Sequence, residues 1–259
     1  MKNVFSFLIV LVSLGLTAQN QAVAGGEKLV FTASYNMSGI LNDLAQVTME
    51  TNTVNTSSST LLHLKCTATT FSKWDSFFKI RDLYESYVSP TSITPYLYKR
   101  DIYEGGYVKK MEYKYDQKNH TVKSTKSKKR KDGTYWDEKK NIAIGANTKD
   151  LVATLYKLRT FDFSKATPGK SKTLTVIFDN QEEQVTFTFL GTETINTAIG
   201  KKNCYKLAIA INTSDVLKGT NDNLLWLTAD DNKVPVYAKF KIAVGNGELR
   251  IKSASGLKN

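Results

Sequence analysis

Apolar and polar residues alternate with a period of two over most of the chain, the pattern of strands that bury one face. The alternation is best specified from Asn223 to Gly245. Leu224, Leu225, Trp226 and Leu227 lead into Asp230-Asp231-Asn232-Lys233, and Val234 to Tyr237 lead out into Ala238, Phe240, Ile242 and Val244. Two apolar runs around a polar reversal predict a β-hairpin. Earlier segments repeat the pattern: Lys28 to Ser34, Leu44 to Asn52, Thr60 to Thr69, Tyr96 to Glu104, Tyr107 to Asp116 and Thr121 to Ser127. Turns fall at Gly39, Asn55 to Ser59, Gly105-Gly106 and Lys131 to Thr134. Later strands are expected at Leu174 to Asp179, Glu183 to Leu190, Ile195 to Gly200, Cys204 to Ile211 and Glu248 to Ala254, with a turn at Asn180-Gln181.

Two stretches depart from this period. Ser72 to Phe77 reads as one helical turn, and Phe78 to Val88 then puts Ile80, Tyr84 and Val88 on one parity with Asp82 among them. A carboxylate on an apolar face requires a partner. Thr148 to Arg159 carries Leu151, Val152, Leu155, Tyr156 and Leu158 at helical spacing. Asn147 or Thr148 is its expected cap, with Asp150 in the first turn. The expectation is an all-β, single-domain protein of roughly a dozen mostly antiparallel strands with one helix.

The first residues change the picture of where the chain works. Lys2, the apolar run Val4 to Leu16 and the small-x-small site Ala22-Val23-Ala24 read as an export signal. The expected division is residues 1–24 as leader and 25–259 as the β domain, with a cut after Ala18 as the alternative. The apolar run is shorter than the roughly 20 residues of a membrane span. No Cys lies near the cut, so no lipid anchor is expected there, and no later stretch is expected to span a bilayer. The expected place is the periplasm of a diderm bacterium, at the outer membrane, or outside the cell.

Charge points to partners. The chain carries a formal +12, and removal of the leader with its one charge, Lys2, leaves +11. Lys109 to Lys140 holds twelve Lys and Arg against five Asp and Glu. Lys126, Lys128, Lys129, Arg130 and Lys131 are its densest part. An exported protein does not meet nucleic acid, so lipid, lipopolysaccharide or acidic glycan are the expected partners of such a patch. The bland alternative is the solvated face of two strands. The two cysteines, Cys66 and Cys204, fall on opposite strand phases, which argues for two free thiols.

Chemistry is sparse. His63 and His120 are the two histidines, too few for a His-based triad or zinc site. No metal or cofactor is expected, and the Asp230-Asp231-Asn232 cluster suits a turn. Five arginines stand among 36 basic residues. Arg81 precedes Asp82, Arg100 precedes Asp101, and Arg159 is followed by Asp162. A planar fork holds a carboxylate bidentately. These residues are either a polar floor for a ligand or an internal ion-pair network. The aromatic band Phe71 to Tyr115 and Trp226 are likewise either a stacking surface or core.

Four segments in order, FFKIRDLYESYV (Phe77 to Val88), YLYKRDIYEGGY (Tyr96 to Tyr107), LYKLR (Leu155 to Arg159) and LWLTADDNKVPV (Leu225 to Val236), together with Val244-Gly245, resemble the bacterial exported family called domain of unknown function 3108. The resemblance implies an antiparallel half-open barrel, similar to capsule-related periplasmic lipoproteins, and no known activity. It carries over Arg81, Asp82, Tyr84, Arg100, Arg159, Trp226, Asp230, Asp231 and Pro235 without roles. Unlike those lipoproteins, this chain has no lipidation Cys. The leading expectation is a non-catalytic envelope protein that binds a lipid, acyl chain or glycan on the concave face, with Arg81, Asp82, Tyr84, Arg100, Arg159 and Trp226 as ligand contacts. The alternatives are an envelope glycan or lipid hydrolase working through paired carboxylates and an adaptor that docks a protein by a sheet edge. The sequence carries no signal for oligomeric state.

Overall fold

The computed structural model describes residues 20, 22–37, 39–211, 223–242 and 245–259. The apolar run of the leader and Val244 lie outside them. Fourteen strands form one antiparallel sheet. They are β1 (Lys28–Met37), β2 (Ile40–Asn55), β3 (Thr60–Thr70), β4 (Arg81–Val88), β5 (Pro95–Glu104), β6 (Tyr107–Asp116), β7 (Thr121–Lys129) and β8 (Tyr135–Ala143), then β9 (Ser171–Phe178), β10 (Gln181–Thr197), β11 (Gly200–Ile211), β12 (Leu224–Thr228), β13 (Pro235–Ile242) and β14 (Gly245–Ser255). The order across the sheet is β8-β7-β6-β5-β4-β3-β2-β1-β14-β13-β12-β11-β10-β9. The first and last strands are therefore neighbours, and two meanders run outward from them. The sheet is curved and unclosed, a half barrel with β8 and β9 at its edges. The turns after β1, β3, β5 and β7 lie on one rim, and those after β2, β4 and β6 on the other, as an antiparallel meander requires.

Helix α1 (Leu151–Leu158) packs against β3, β4 and β9 and defines the inner face. Its N-cap is Asp150, whose Oδ1 accepts from the Ala153 amide at 2.8 Å. The helix thus starts with its apolar stripe, and its cap is Asp150 in place of the expected Asn147 or Thr148. Residues 148–150 stay extended because Lys149 bridges to Val176 of β9. The second Asp150 oxygen accepts from Ser86 Oγ at 2.7 Å, and Thr51 Oγ1 donates to the Tyr156 hydroxyl at 3.2 Å. Burial pushes the Asp150 carboxyl up to about 6. Around these contacts Leu29, Phe31, Leu64, Tyr98 and Tyr113 form one apolar cluster. A second cluster joins Leu158 and Phe163 to Phe187, Phe189, Leu207 and Leu225.

The count of strands exceeds the expected dozen because β8 is an edge strand. Its sequence, YWDEKKNIA, is largely exposed on both faces and shows no apolar alternation. In the opposite sense, the expected strands Glu183 to Leu190 and Ile195 to Gly200 do not stand apart. β10 runs through to Thr197, and the register shift between Phe189 and Gly191, with Gly191 at φ 134, absorbs the break in alternation as a bulge. The β9–β10 turn is Asp179-Asn180, both at positive φ (48° and 74°), one residue earlier than expected. This is the conformation of a tight two-residue hairpin. The 230–233 reversal is as expected: Asp230 Oδ1 accepts from Thr228 Oγ1 and the amides of Asn232 and Lys233. Cys66 and Cys204 are free thiols on different strands.

The region of the expected leader cut is part of the packed domain. Ala22 and Val23 are buried. Asn20 Nδ2 donates to the carbonyls of Val23 and Pro90 at 2.8 and 3.0 Å, and Lys258 Nζ donates to the Asn20 carbonyl at 3.0 Å. A cut after Ala24 would remove these contacts, whereas a cut after Ala18 keeps them. Mass spectrometry of the exported protein is expected to find Gln19 as the first residue. A mature chain beginning at Gly25 would contradict this.

Candidate functional site

The six expected ligand contacts do not converge, because neighbouring residues on a strand face opposite ways. Arg81 faces away from α1. It holds Asp75 with both terminal nitrogens, at 3.0 and 2.5 Å, and donates to Thr70 Oγ1 at 2.9 Å. It fastens the 71–80 connection to the end of β3, and its carboxylate is Asp75 and not the adjacent Asp82.

Asp82, Tyr84 and Arg100 do share the inner face. Asp82 is buried, accepts from the Tyr103 amide at 3.1 Å and is hydrogen-bonded to Glu104. Burial, and then the Glu104 charge, push its carboxyl up to about 7. The two acids sit side by side. A hydrolytic pair instead flanks a substrate across about 5–10 Å. Tyr84 stands opposite Arg100 in the register, and burial raises its phenol well above the usual range.

Arg100 is buried and bonded to Asp179 from the β9–β10 turn, with Phe178 over its guanidinium at 4.8 Å. Lys109 holds both oxygens of the same Asp179, at 2.6 and 2.5 Å. The neighbouring Asn180 Nδ2 donates to Glu138 at 3.0 Å, its side-chain oxygen accepts from Ser124 Oγ at 2.6 Å, and its amide donates to the Tyr113 hydroxyl at 3.0 Å. The hairpin tip is thus a plug seated on the inner face of β5 to β8. The adjacent Asp101 points the other way and pairs with Lys110 at 3.0 Å.

Arg159 and Glu27 form a fully buried bidentate pair, with both bonds at 2.6 Å. Arg159 also donates to the Asn232 carbonyl at 3.1 and 3.0 Å and to the Ala22 carbonyl at 3.4 Å. Asp162, the acid nearest in sequence, instead accepts from Ser164. Trp226 lies on the face away from α1. Its indole N–H donates to Glu193 at 3.1 Å, Lys206 sits over its ring at 5.2 Å, and Tyr237 stacks beside it at 4.8 Å. The inner face therefore carries α1 and a plug where a ligand trough was expected, and its arginines are committed to carboxylates. Among the described residues, no group of three or more His, Cys, Asp or Glu is placed to hold a metal ion.

The basic run is different. Lys128, Lys129, Arg130 and Lys131, from the end of β7 and its turn, line an open groove of about 790 Å³ with Gly105, Gly106, Tyr107 and Trp136. Lys128 Nζ lies over the Tyr107 ring at 4.9 Å. Arg130 donates to Thr134 Oγ1 and the Tyr135 carbonyl, both at 3.3 Å, which fixes the turn. Among the described residues no carboxylate lines the groove. Asp132 is turned back onto Thr134, whose hydroxyl and amide bonds hold its carboxyl below the usual range. Lys126 is not part of the groove. It pairs with Glu138 at 3.1 Å and covers the Trp136 ring at 5.3 Å. Tyr107 belongs to the expected aromatic band and Trp136 was not singled out; only the pairing of β6, β7 and β8 brings both beside the lysines. The exposed aromatic residues flanking that basic run were the available signal.

A second groove of about 380 Å³ crosses the outer faces of β4 to β8. It alternates Glu85, Asp101, Glu112 and Asp137 with Lys99, Lys110 and Lys139, so it carries little net field.

The architecture defines the class: a half-open, strongly curved antiparallel sheet with one helix on its inner face. The chain belongs to the family described as protein of unknown function DUF3108, whose model matches residues 30–252. Its fold is similar to that of a β-barrel-like protein of domain of unknown function DUF1849 from Brucella abortus, with a TM-score of 0.52, 8% identity, and coverage of 88% of this chain and 96% of that one. Two looser alignments cover 90% of this chain and 96% of the other. One is with a protein from Bacteroides fragilis described as exported, with a YmcC-like fold (TM-score 0.36, 10% identity). The other is with a protein from Parabacteroides distasonis described as a lipoprotein (TM-score 0.33, 12% identity). A search of curated proteins found no match.

Two outcomes test this assignment of roles. Arg159→Met leaves Glu27 buried without its cation and is expected to cost about 3–5 kcal/mol in urea unfolding; a loss below about 1 kcal/mol would show the pair to be dispensable. Asp82 keeps its proton in the folded state up to about pH 7, while an unfolded Asp loses it near pH 4. Between those values the unfolded chain binds fewer protons, so this group's contribution to stability falls as pH rises and then levels off. Asp82→Asn is expected to raise the melting temperature at pH 8 more than at pH 5. An equal shift at both would refute the raised Asp82 carboxyl.

Proposed function

We propose that this is a non-catalytic protein of the cell envelope that binds a phosphate-bearing anionic lipid headgroup in the basic groove at the β5–β6 and β7–β8 turns. The observation that carries the reading is the groove itself, where Lys128, Lys129, Arg130 and Lys131 meet Tyr107 and Trp136 with no carboxylate in the lining. Several cations on one rigid hairpin give a field that an anionic headgroup relieves. Flat rings beside them suit the amphipathic zone of a headgroup. The leader at the start of the chain supports export, and the names of the loosely similar solved structures, exported protein and lipoprotein, agree with an envelope setting. Among the described residues no helix is long and apolar enough to cross a membrane.

The inner face is the weaker candidate. Arg100, Lys109 and Arg159 already have carboxylate partners there. Asp82 is buried with the half-buried Glu104 directly beside it and no cleft between them, which does not favour hydrolysis.

The test uses monomeric dihexanoyl-phosphatidylglycerol as probe and dihexanoyl-phosphatidylcholine as its zwitterionic control. In low salt the anionic lipid is expected to shift the amide resonances of Tyr107, Lys128 to Lys131 and Trp136, and the control is expected not to. Lys128→Glu with Lys129→Glu and Lys131→Glu should abolish the shifts. Equal response to both lipids, or shifts centred on the inner face, would overturn the reading.

A further inference from the structure

We infer that the rim carrying the turns after β1, β3, β5 and β7 docks as a unit on an anionic bilayer, with Ile40, Phe77 and Phe78 entering the interface beside the basic groove. This deepens the groove reading and rests on it. The new element is apolar insertion by parts of the rim that lie outside the groove.

The two rims differ in chemistry. Of the large apolar side chains that the fold leaves exposed, Ile40, Phe77, Phe78, Tyr107, Tyr135 and Trp136 all lie on this rim. Ile40 is 67% exposed and Phe77 is 76% exposed, values that no packing role explains. The turns after β2, β4 and β6 on the opposite rim, Asn55 to Thr60, Ser89 to Thr94 and Gln117 to His120, are almost entirely small or polar residues. Tyr96, at the start of β5, is exposed beside the opposite rim, but most of the exposed apolar groups gather on the first, and such a concentration marks an interaction site.

These tips are held in one structure. The Trp74 indole N–H donates to the Asp43 carbonyl at 2.7 Å, which ties the 71–80 connection to β2 beside the β1–β2 turn. Phe77 meets Trp74 edge-on at 6.5 Å. The Gly105 amide donates to the Lys79 carbonyl at 2.9 Å, and the Phe78 ring lies so close to Gly105 that an added Cβ would sit 2.5 Å from it. Gly105 and Gly106 both have positive φ, so only glycine holds this turn without strain. From there Tyr107 continues to Lys128 and the groove. The apolar tips and the cations are thus parts of one scaffold and present themselves together.

Charge complementarity selects the occupant. Lys73 and Lys79 flank the phenylalanines, and Lys128 to Lys131 flank the tyrosines and Trp136. Among the described residues of these turns, Asp75 is held by Arg81, Asp132 by Thr134 and Asp43 by Ser34 at 2.6 Å. Cations around exposed aromatic and aliphatic tips match an anionic membrane surface, where rings sit at headgroup level and lysines reach phosphates.

The experiment is co-sedimentation of the full exported chain with vesicles of phosphatidylethanolamine and phosphatidylglycerol, against vesicles of phosphatidylethanolamine and phosphatidylcholine. Binding is expected to the first and not the second. Ile40→Ser with Phe77→Ser, both exposed and free to change without unfolding the protein, should weaken vesicle binding about tenfold or more. The same variant should bind monomeric dihexanoyl-phosphatidylglycerol as the wild type does. An environment-sensitive dye on Phe77→Cys should brighten and shift to the blue on anionic vesicles, and the same dye on Ser58→Cys at the opposite rim should not. If the double variant binds vesicles like the wild type and the dye at 77 stays in water, insertion is refuted while the groove reading stands. If the wild type binds neither vesicles nor soluble lipid, both fail. Concentration-dependent self-association of the free protein, lost in the double variant, would make the rim an interface between copies and overturn the membrane assignment.

Discussion

A buried charge must be met in place, and the Arg159–Glu27 pair is where this chain meets that requirement. The pair joins the residues before β1 to the end of α1. Through the Asn232 carbonyl it also reaches the β12–β13 turn. Asn232 Nδ2 donates in turn to the Asn259 carbonyl at 2.5 Å, so the last residue is tied to the same point. The start of the domain, its helix, the best-specified hairpin and the C-terminal end thus meet around one guanidinium. A sheet whose first and last strands are neighbours needs such a knot, because nothing in the strand pairing alone fixes how the helix sits on it.

A second ionic contact does for the open side what closure does for a true barrel. The sheet leaves β8 and β9 unpaired with each other, and the β9–β10 turn reaches across to Arg100 and Lys109. Burial alone would raise the Asp179 carboxyl. The Lys109 hydrogen bond and the Arg100 charge outweigh it and hold the group below its usual value. With the plug seated, the inner face of β5 to β8 is occupied by the protein itself. The polar groups that a concave ligand site would use are spent on shape. At the rim the strands end and side chains no longer have a facing layer, which is where the proposed recognition falls.

The candidate site was half legible. Lys128 to Lys131 stand consecutively, so their concentration shows without any fold. Their aromatic companions do not, because Tyr107 and Trp136 reach Lys128 only through the pairing of β6, β7 and β8. Lys126 looked equivalent to its neighbours and is not. It shares a face with Lys128 but lies two residues further from the turn, opposite Glu138 in the register, and pairs with that acid. The arginines show the same limit from the other side. Their residue type announced carboxylate partners, but adjacency in sequence named the wrong acids, since residues i and i+1 of a strand point to opposite faces.

By itself the sequence determined what depends on a few neighbouring residues: the period-two strands, the Asp230 to Lys233 reversal, the helix around Leu151 to Leu158 and the clustering of charge. These follow from local backbone preference and from which side chains leave water. The tertiary structure decided what depends on register summed over many strands. Arg100 meets an acid 79 positions away and Arg159 one 132 positions away. Such separations carry no local signal, since each bulge, such as that at Gly191, shifts which residues meet. The same summation gathered Ile40, Phe77, Phe78, Tyr107, Tyr135 and Trp136 on one rim.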